Sequence, residues 1–291
     1  MSKKNKEKSL KDWAKAFLFT FLLLSSFAIS IILFMVFLSR DLPSIEELKS
    51  FNPEQISKII SSDKEVIHKL QAVKKREVIK IDQVPDDLIN ALLYMEDQDF
   101  YNHSGFSFKS TFRAIIIDIF TMSYKQGAST LTQQLARSMY DKIVWRDRSI
   151  LRKIRELITS FKIEQTYTKS EILELYLNSV FLGHGRYGVQ SASQLYFNKG
   201  VSELDLDECA MLVGILPAPN YYSPYSSIDR ADKRKSLVLR VLYENEIINS
   251  YDYSSYKNKK LIISDKEIES YSGSAPYFNE HVRKELEKID K

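Results

Sequence analysis

From Ala16 to Leu38 the chain runs for 23 residues without an Asp, Glu, Lys or Arg. As an α-helix that stretch is ~35 Å long at ~1.5 Å per residue, enough to cross the hydrocarbon of a bilayer. It is longer than the ~7–15-residue core of a cleavable leader, and no small-x-small cleavage pattern precedes Arg40 and Asp41. The expectation is an uncleaved, single-pass anchor. Residues 1–15 hold six lysines against Glu7 and Asp12 and so carry the whole of the +4 net charge. A lysine-rich flank stays in the cytoplasm, which places everything beyond about residue 40 on the other side. The remainder is electrically neutral, so the basic balance reflects a membrane flank and no nucleic-acid partner.

A chain of 291 residues, 44% apolar and 27% charged, can bury one or two cores. Its eight glycines are under half the usual ~7% usage and favour helix. Cys209, the single cysteine, has no internal disulfide partner. Five segments are expected: a cytoplasmic basic tail (1–15), the anchor (16–38), a stalk with short extended pieces (39–84), a helical domain (85–249) and a connector (250–291) ending in a charged helix. Pro85-Asp86 is a helix-start signal ahead of Leu88, Ile89, Leu92, Leu93 and Met95 at helical spacing. A second helix is predicted over 108–119, a third after Ser129 as its cap, and a fourth striped by Ile150, Ile154, Leu157, Ile158 and Phe161. Others follow near 170–180, 189–197, 203–216 and 229–249, with Pro217 and Pro219 as breakers.

Four patches are unusual for a plain helical core. Glu96-Asp97-Gln98-Asp99-Phe100, with His103 and Gly105, clusters acids where a helix ends. Acids there oppose the helix dipole by ~0.3–1 kcal/mol, so either they form a solvated loop or chemistry favours them. Gly127-Ala128-Ser129-Thr130-Leu131-Thr132-Gln133-Gln134 opens a helix whose N–H groups and amides suit an anion or sugar hydroxyls; capping by Ser129 would explain the serine but not the paired glutamines. Arg148, Arg152, Arg155 and Glu156 share a helix face, with Lys153 beside them and Arg137 ending the helix before. That is either a solvated basic face or a diphosphate site, since arginine forks fit phosphate oxygens. In Lys169–Asn178, Glu171, Glu174 and Asn178 recur opposite leucines and read more as scaffold than chemistry.

In order, these patches resemble the peptidoglycan glycosyltransferase family, which occurs as monofunctional enzymes and as the N-terminal half of class A penicillin-binding proteins. The likeness spans roughly 85–245 and comprises E-D-x-x-F-x-x-H-x-G at Glu96–Gly105, G-A-S-T-L-T-Q-Q at Gly127–Gln134, R-K-x-x-E at Arg152–Glu156, K-x-E-I-L-E-x-Y-L-N at Lys169–Asn178 and R-x-x-x-V-L at Arg234–Leu239. The S-x-x-K at Ser61–Lys64 is set aside, because no K-T-G accompanies it.

The resemblance implies a mainly α fold, lysozyme-like and two-lobed, with an apolar membrane-dipping jaw at about 106–126. It implies lipid II and the growing glycan strand as substrates, the bilayer and a cross-linking transpeptidase as partners, and the bacterial inner membrane as location, with the catalytic domain outside. Glu96 is then similar to the family's general base, with Asp97 and Asp99 as neighbours that could raise its proton affinity, and Glu156 to the second glutamate, acting near the diphosphate through the arginines or a divalent cation (Mg or Mn). Substrate contacts are implied for Asp97, His103, Ser129, Thr130, Gln133, Gln134, Arg137, Arg148, Arg152, Lys153, Arg155, Glu171 and Asn178. The pattern departs at Arg137-Ser138, where the family usually shows Lys-Asn, and Ala275-Pro276-Tyr277-Phe278 resembles the linker into the second half of bifunctional members. A lytic glycosidase and a catalytically weak cell-wall scaffold are the alternatives.

Overall fold

The computed structural model describes residues 3–40, 42–49, 58–60, 66–69, 75–107, 129–139, 150–265 and 281. The predicted helix over 108–119, most of the expected jaw, Gly127, Ala128, Arg148 and nearly all of the final helix lie outside these residues. The fold is mainly α. Helix α1 (Lys3–Ser39) contains Phe17–Phe34, the one stretch among the described residues long and apolar enough to cross a membrane. None of that stretch is buried against the rest of the chain, so its Phe, Leu and Ile side chains need an apolar surrounding.

The stalk is more integrated than its composition suggests. In α2 (Ile45–Lys49) Leu48 is fully buried, and its carbonyl accepts from the Tyr167 hydroxyl. Lys162 Nζ donates to the Pro43 carbonyl at 3.0 Å. Strands β1 (Lys58–Ile60) and β2 (Val66–Lys69) pair antiparallel, Ile59 opposite His68. Strand β3 (Lys75–Arg76) pairs in parallel with β4 (Arg186–Tyr187). Just beyond β3, Asn178 accepts from the Ile79 N–H at 2.9 Å and donates to the Ile79 carbonyl at 2.8 Å. Residues 75–84 therefore belong to the helical domain, because an inward amide on a later helix satisfies their backbone.

The helices are α3 (Asp86–Glu96), α4 (Leu131–Met139), α5 (Ile150–Thr166), α6 (Lys169–Ser179), α7 (Val189–Phe197), α8 (Leu206–Ile215), α9 (Pro219–Tyr222), α10 (Ile228–Glu244) and α11 (Ser250–Asn258). Every residue of α8 is buried, with α3 and α10 packed against it. A Cβ on Gly214 would lie 3.0 Å from the Arg234 backbone, so glycine lets α8 and α10 cross at backbone contact. The core gathers Leu88 and Leu92 of α3, Leu131 and Leu135 of α4, Ile172, Leu173 and Leu177 of α6, and Val238 and Leu239 of α10.

Two expectations are corrected. The connector does not begin at 250: α11 packs on α10, and Lys259 Nζ meets Asp205 at 2.8 Å and Asp207 at 3.0 Å. Fully buried Lys235 donates to the Lys259 carbonyl at 2.6 Å, and the Ser264 N–H reaches the Tyr196 carbonyl. Charge pairing and backbone capture fix this segment together with the packing of Tyr253, Tyr256, Leu261 and Ile263 on the core, contacts too scattered to show as an apolar period. Helix α5 buries a face beside its apolar stripe, leaving Ile154, Leu157 and Ile158 half-buried. Its buried residues are Glu156, Thr159, Ser160 and Ile163, while Leu151 and Phe161 are exposed, because its inner face meets polar α4 and the Gly105 carbonyl.

Candidate active site

The first two motifs and the basic helix meet at one carbonyl. Gly105, at φ +85°, turns back so that its oxygen accepts from Thr130 Oγ1 at 2.9 Å, Gln133 Nε2 at 3.0 Å and Ser160 Oγ at 3.3 Å. A Cβ there would stand 3.0 Å from the Ser160 backbone, so both the left-handed conformation and the space require glycine.

Asp97 closes the same junction. Its carboxylate accepts from His103 Nε2 at 2.9–3.0 Å and from the Leu131 N–H at 2.9 Å. The Gly105 N–H donates to His103 Nδ1 at 3.1 Å, which leaves Nε2 as the protonated nitrogen facing Asp97. A carboxylate at the first N–H of α4 also meets the positive end of the helix dipole. This explains the acids at the end of α3, since Asp97 caps a different helix 34 residues later. The predicted cap, Ser129, is displaced: Thr130 Oγ1 accepts from the Gln133 N–H, and Ser129 Oγ accepts from Lys153 Nζ at 2.9 Å.

The two glutamates are held by residues one turn apart on α4, Glu96 by Gln134 and Glu156 by Arg137. Glu96, the last residue of α3, is half-buried, and its Oε2 accepts from Gln134 Nε2 at 2.8 Å. Glu156 is wholly buried. Arg137 Nε and Nη2 reach its two oxygens at 3.0 and 3.3 Å, Lys153 Nζ at 3.3 Å, and Arg152 Nε lies 3.8 Å away. Lys153 also donates to Gln133 Oε1 at 2.7 Å. Burial pulls the Lys153 ammonium below the ordinary lysine range and Glu156 pushes back, with Arg137 and Arg152 adding to the lowering.

The implied substrate contacts therefore divide. Gln134, Arg137, Arg152, Lys153, Ser129 and half-buried Arg155 stand at this junction or on the same stretch of α5. Asp97, His103, Thr130 and Gln133 are buried or nearly so, with their polar atoms bonded to the protein itself. Both Asp97 oxygens accept hydrogen bonds, from His103 and from the Leu131 N–H. Glu171 is exposed and caps α6, accepting from Thr168 N at 2.7 Å and Oγ1 at 2.8 Å, while Asn178 holds Ile79. Sequence reasoning missed Tyr176, Glu164 and Lys169. Lys169 bridges the His103 carbonyl at 2.6 Å and Glu164 at 2.8 Å, and Thr132 donates to Glu164 at 2.6 Å. Their signal was faint: polar atoms on helix faces otherwise read as amphipathic.

Among the described residues no group of three His, Cys, Asp or Glu side chains lies together to hold a metal, and cations already hold both oxygens of Glu156. That donor set does not fit Mg or Mn, which want open carboxylates and water.

The model of the transglycosylase family matches residues 63–243. The chain belongs to that family. It is 36% identical over 244 residues to penicillin-binding protein 1A of Aquifex aeolicus (strain VF5), covering 84% of this chain and 33% of that one. For the protein of the same name from Escherichia coli (strain K12) the figures are 36% over 250 residues, 86% and 29%, and for that of Neisseria gonorrhoeae 37% over 245 residues, 84% and 30%. This transglycosylase chain thus spans about a third of the length of the curated relatives it matches. The crystal structure of penicillin-binding protein 1A from Haemophilus influenzae aligns with a TM-score of 0.45 and 23% identity, over 82% of this chain and 25% of that one.

Proposed function

We propose that this chain is a membrane-anchored peptidoglycan glycosyltransferase that polymerises lipid II into β-1,4 glycan strands and releases undecaprenyl diphosphate. The observation that carries the reading is the pairing of an accessible carboxylate, Glu96, with a separate cationic site built around Glu156. Glu96 takes the proton of the acceptor's 4-hydroxyl as its oxygen attacks the donor anomeric carbon. The bond to the diphosphate breaks on the opposite face, so the carbon inverts. Charge growing on the leaving diphosphate meets Arg137, Arg152 and Lys153, which are in place before reaction and need no reorganisation.

The same arrangement disfavours hydrolysis. A glycosidase needs a second carboxylic acid to protonate an alkoxide leaving group, and Glu156 is fully buried and cation-bound. The anchor, its lysine-rich cytoplasmic flank and the relatives' name support a location on the outer face of the bacterial inner membrane, beside a cross-linking transpeptidase.

The test is to incubate the detergent-purified chain with labelled lipid II beside Glu96→Gln. Lysozyme-sensitive polymer from the parent, reduced about 10²–10⁴-fold in the variant, is the expected result for loss of a general base. Glycan release from purified sacculi without lipid II would establish the lytic reading instead, and no polymer across pH and detergents would favour a scaffold.

A further inference from the structure

We propose that Tyr176 is a positioning residue for the base: through Gln134 it fixes which end of an amide faces Glu96. The inference rests on the reading of Glu96 as the base. Tyr176 lies on the buried face of α6, 2% exposed, and its hydroxyl donates to Gln134 Oε1 at 3.0 Å. With that oxygen taken, the NH₂ end of Gln134 is the end presented to Glu96, at 2.8 Å. The three groups form one directed chain, phenol to amide to carboxylate.

The direction has a chemical consequence. An amide N–H stabilises the ionised carboxylate, which is the form able to accept a proton. The reversed amide would aim a carbonyl oxygen at Glu96, repelling the carboxylate and favouring the protonated, inactive form. It would also leave the phenol hydrogen buried without an acceptor, a loss that opposes reversal. Burial, reinforced by the charge of Glu96, holds the Tyr176 phenol well above its ordinary range, so the donating hydrogen is retained throughout the working pH range. The tyrosine sits among Ile172, Leu173 and Leu177, all buried, and this packing keeps the hydroxyl in place.

Tyr176→Phe keeps the ring and removes only the directing hydrogen bond. Polymerisation of lipid II by the full chain should show a kcat about tenfold lower, an unchanged KM, and an acidic limb of the rate moved up by about one pH unit, the scale of a hydrogen bond to a charged group. A lower rate with the acidic limb unmoved would mean the tyrosine only fills space and would overturn the proposal. A second readout needs no turnover: carbodiimide reacts with the protonated carboxyl, so labelling of Glu96 against pH, read by mass spectrometry, should shift upward in Tyr176→Phe. Should that variant fold poorly, Gln134→Leu removes the same link, and a labelling curve coincident with the parent's in either variant overturns the idea. Absence of polymer from the parent would defeat the reaction assigned above, while the labelling curves would still decide the relay.

Discussion

Glu96 and Glu156 belong to one site and are the same side chain in opposite surroundings. Glu96 is half-open, and among the described residues its partner is a neutral amide, that of Gln134. Glu156 is wholly buried, with cations on both oxygens. In the proposed reaction, burial and the charge of the partners would separate proton transfer at Glu96 from charge organisation at Glu156, as where two carboxylates are given two roles.

The largest expected effect that tests this contrast is on stability. Glu156→Ala removes a buried anion whose partners Arg137 and Lys153 are 43% and 41% exposed, and should cost about 3 kcal/mol, the lower end for breaking a buried ion pair. Glu96→Gln should stay within about ±0.5 kcal/mol, as partly exposed substitutions do. Denaturant unfolding of both variants checks the pair. Equal losses would mean that the two carboxylates are equally structural and would break the comparison.

A smaller effect concerns Lys153. Its folded-state pKa lies below the ordinary lysine value, so its charge is lost on raising the pH before an ordinary lysine at ~10.4 would lose it. Donor binding should therefore weaken on the alkaline side as Lys153 deprotonates, read as a rise in KM for lipid II. Lys153→Arg should carry that limb to higher pH, because a guanidinium keeps its proton there. An unmoved limb would assign the cationic work to Arg137 and Arg152 alone.

What could be read from the sequence follows from the range of the interaction. Helix α3 was legible because Leu88 and Leu92 repeat at helical spacing and meet the core directly. The order of motifs was legible because each is local. Their joining was not: Asp97 caps a helix it precedes by 34 residues, and Ser129 answers a lysine on α5 instead of its own helix. Helix α5 misled most, since an apolar stripe usually marks the inner face, whereas here Glu156, Thr159 and Ser160 share that face with Ile163. Likewise the domain's far end is held by α11 through Tyr253 and Tyr256 packed on the core and by Lys259 through charge. Burial alone would lower the Lys259 pKa, but Asp205 and Asp207 outweigh it and raise it.

A third glutamate sharpens the contrast at its weakest end. Glu171 belongs to a family-like motif, yet among the described residues its carboxylate accepts from Thr168 at the start of α6, and those bonds, the backbone one first, hold its pKa below the usual carboxylate range. A folded pKa depressed below the unfolded value near ~4.3 contributes stability above that value and loses it as the pH falls through the folded one. Because the side chain is exposed, water screens the effect, and Glu171→Gln should cost no more than about 0.5 kcal/mol at neutral pH. The difference should vanish in acid, since glutamine retains an acceptor for the Thr168 N–H and the parent's carboxyl is by then uncharged. Thermal melts of parent and variant from pH 3 to 7 check this, with lipid II turnover measured alongside. If turnover fell tenfold while the melts agreed, Glu171 would move from the helix cap back to the substrate, and the division between residues that build the site and residues that use it would have to be redrawn around α6.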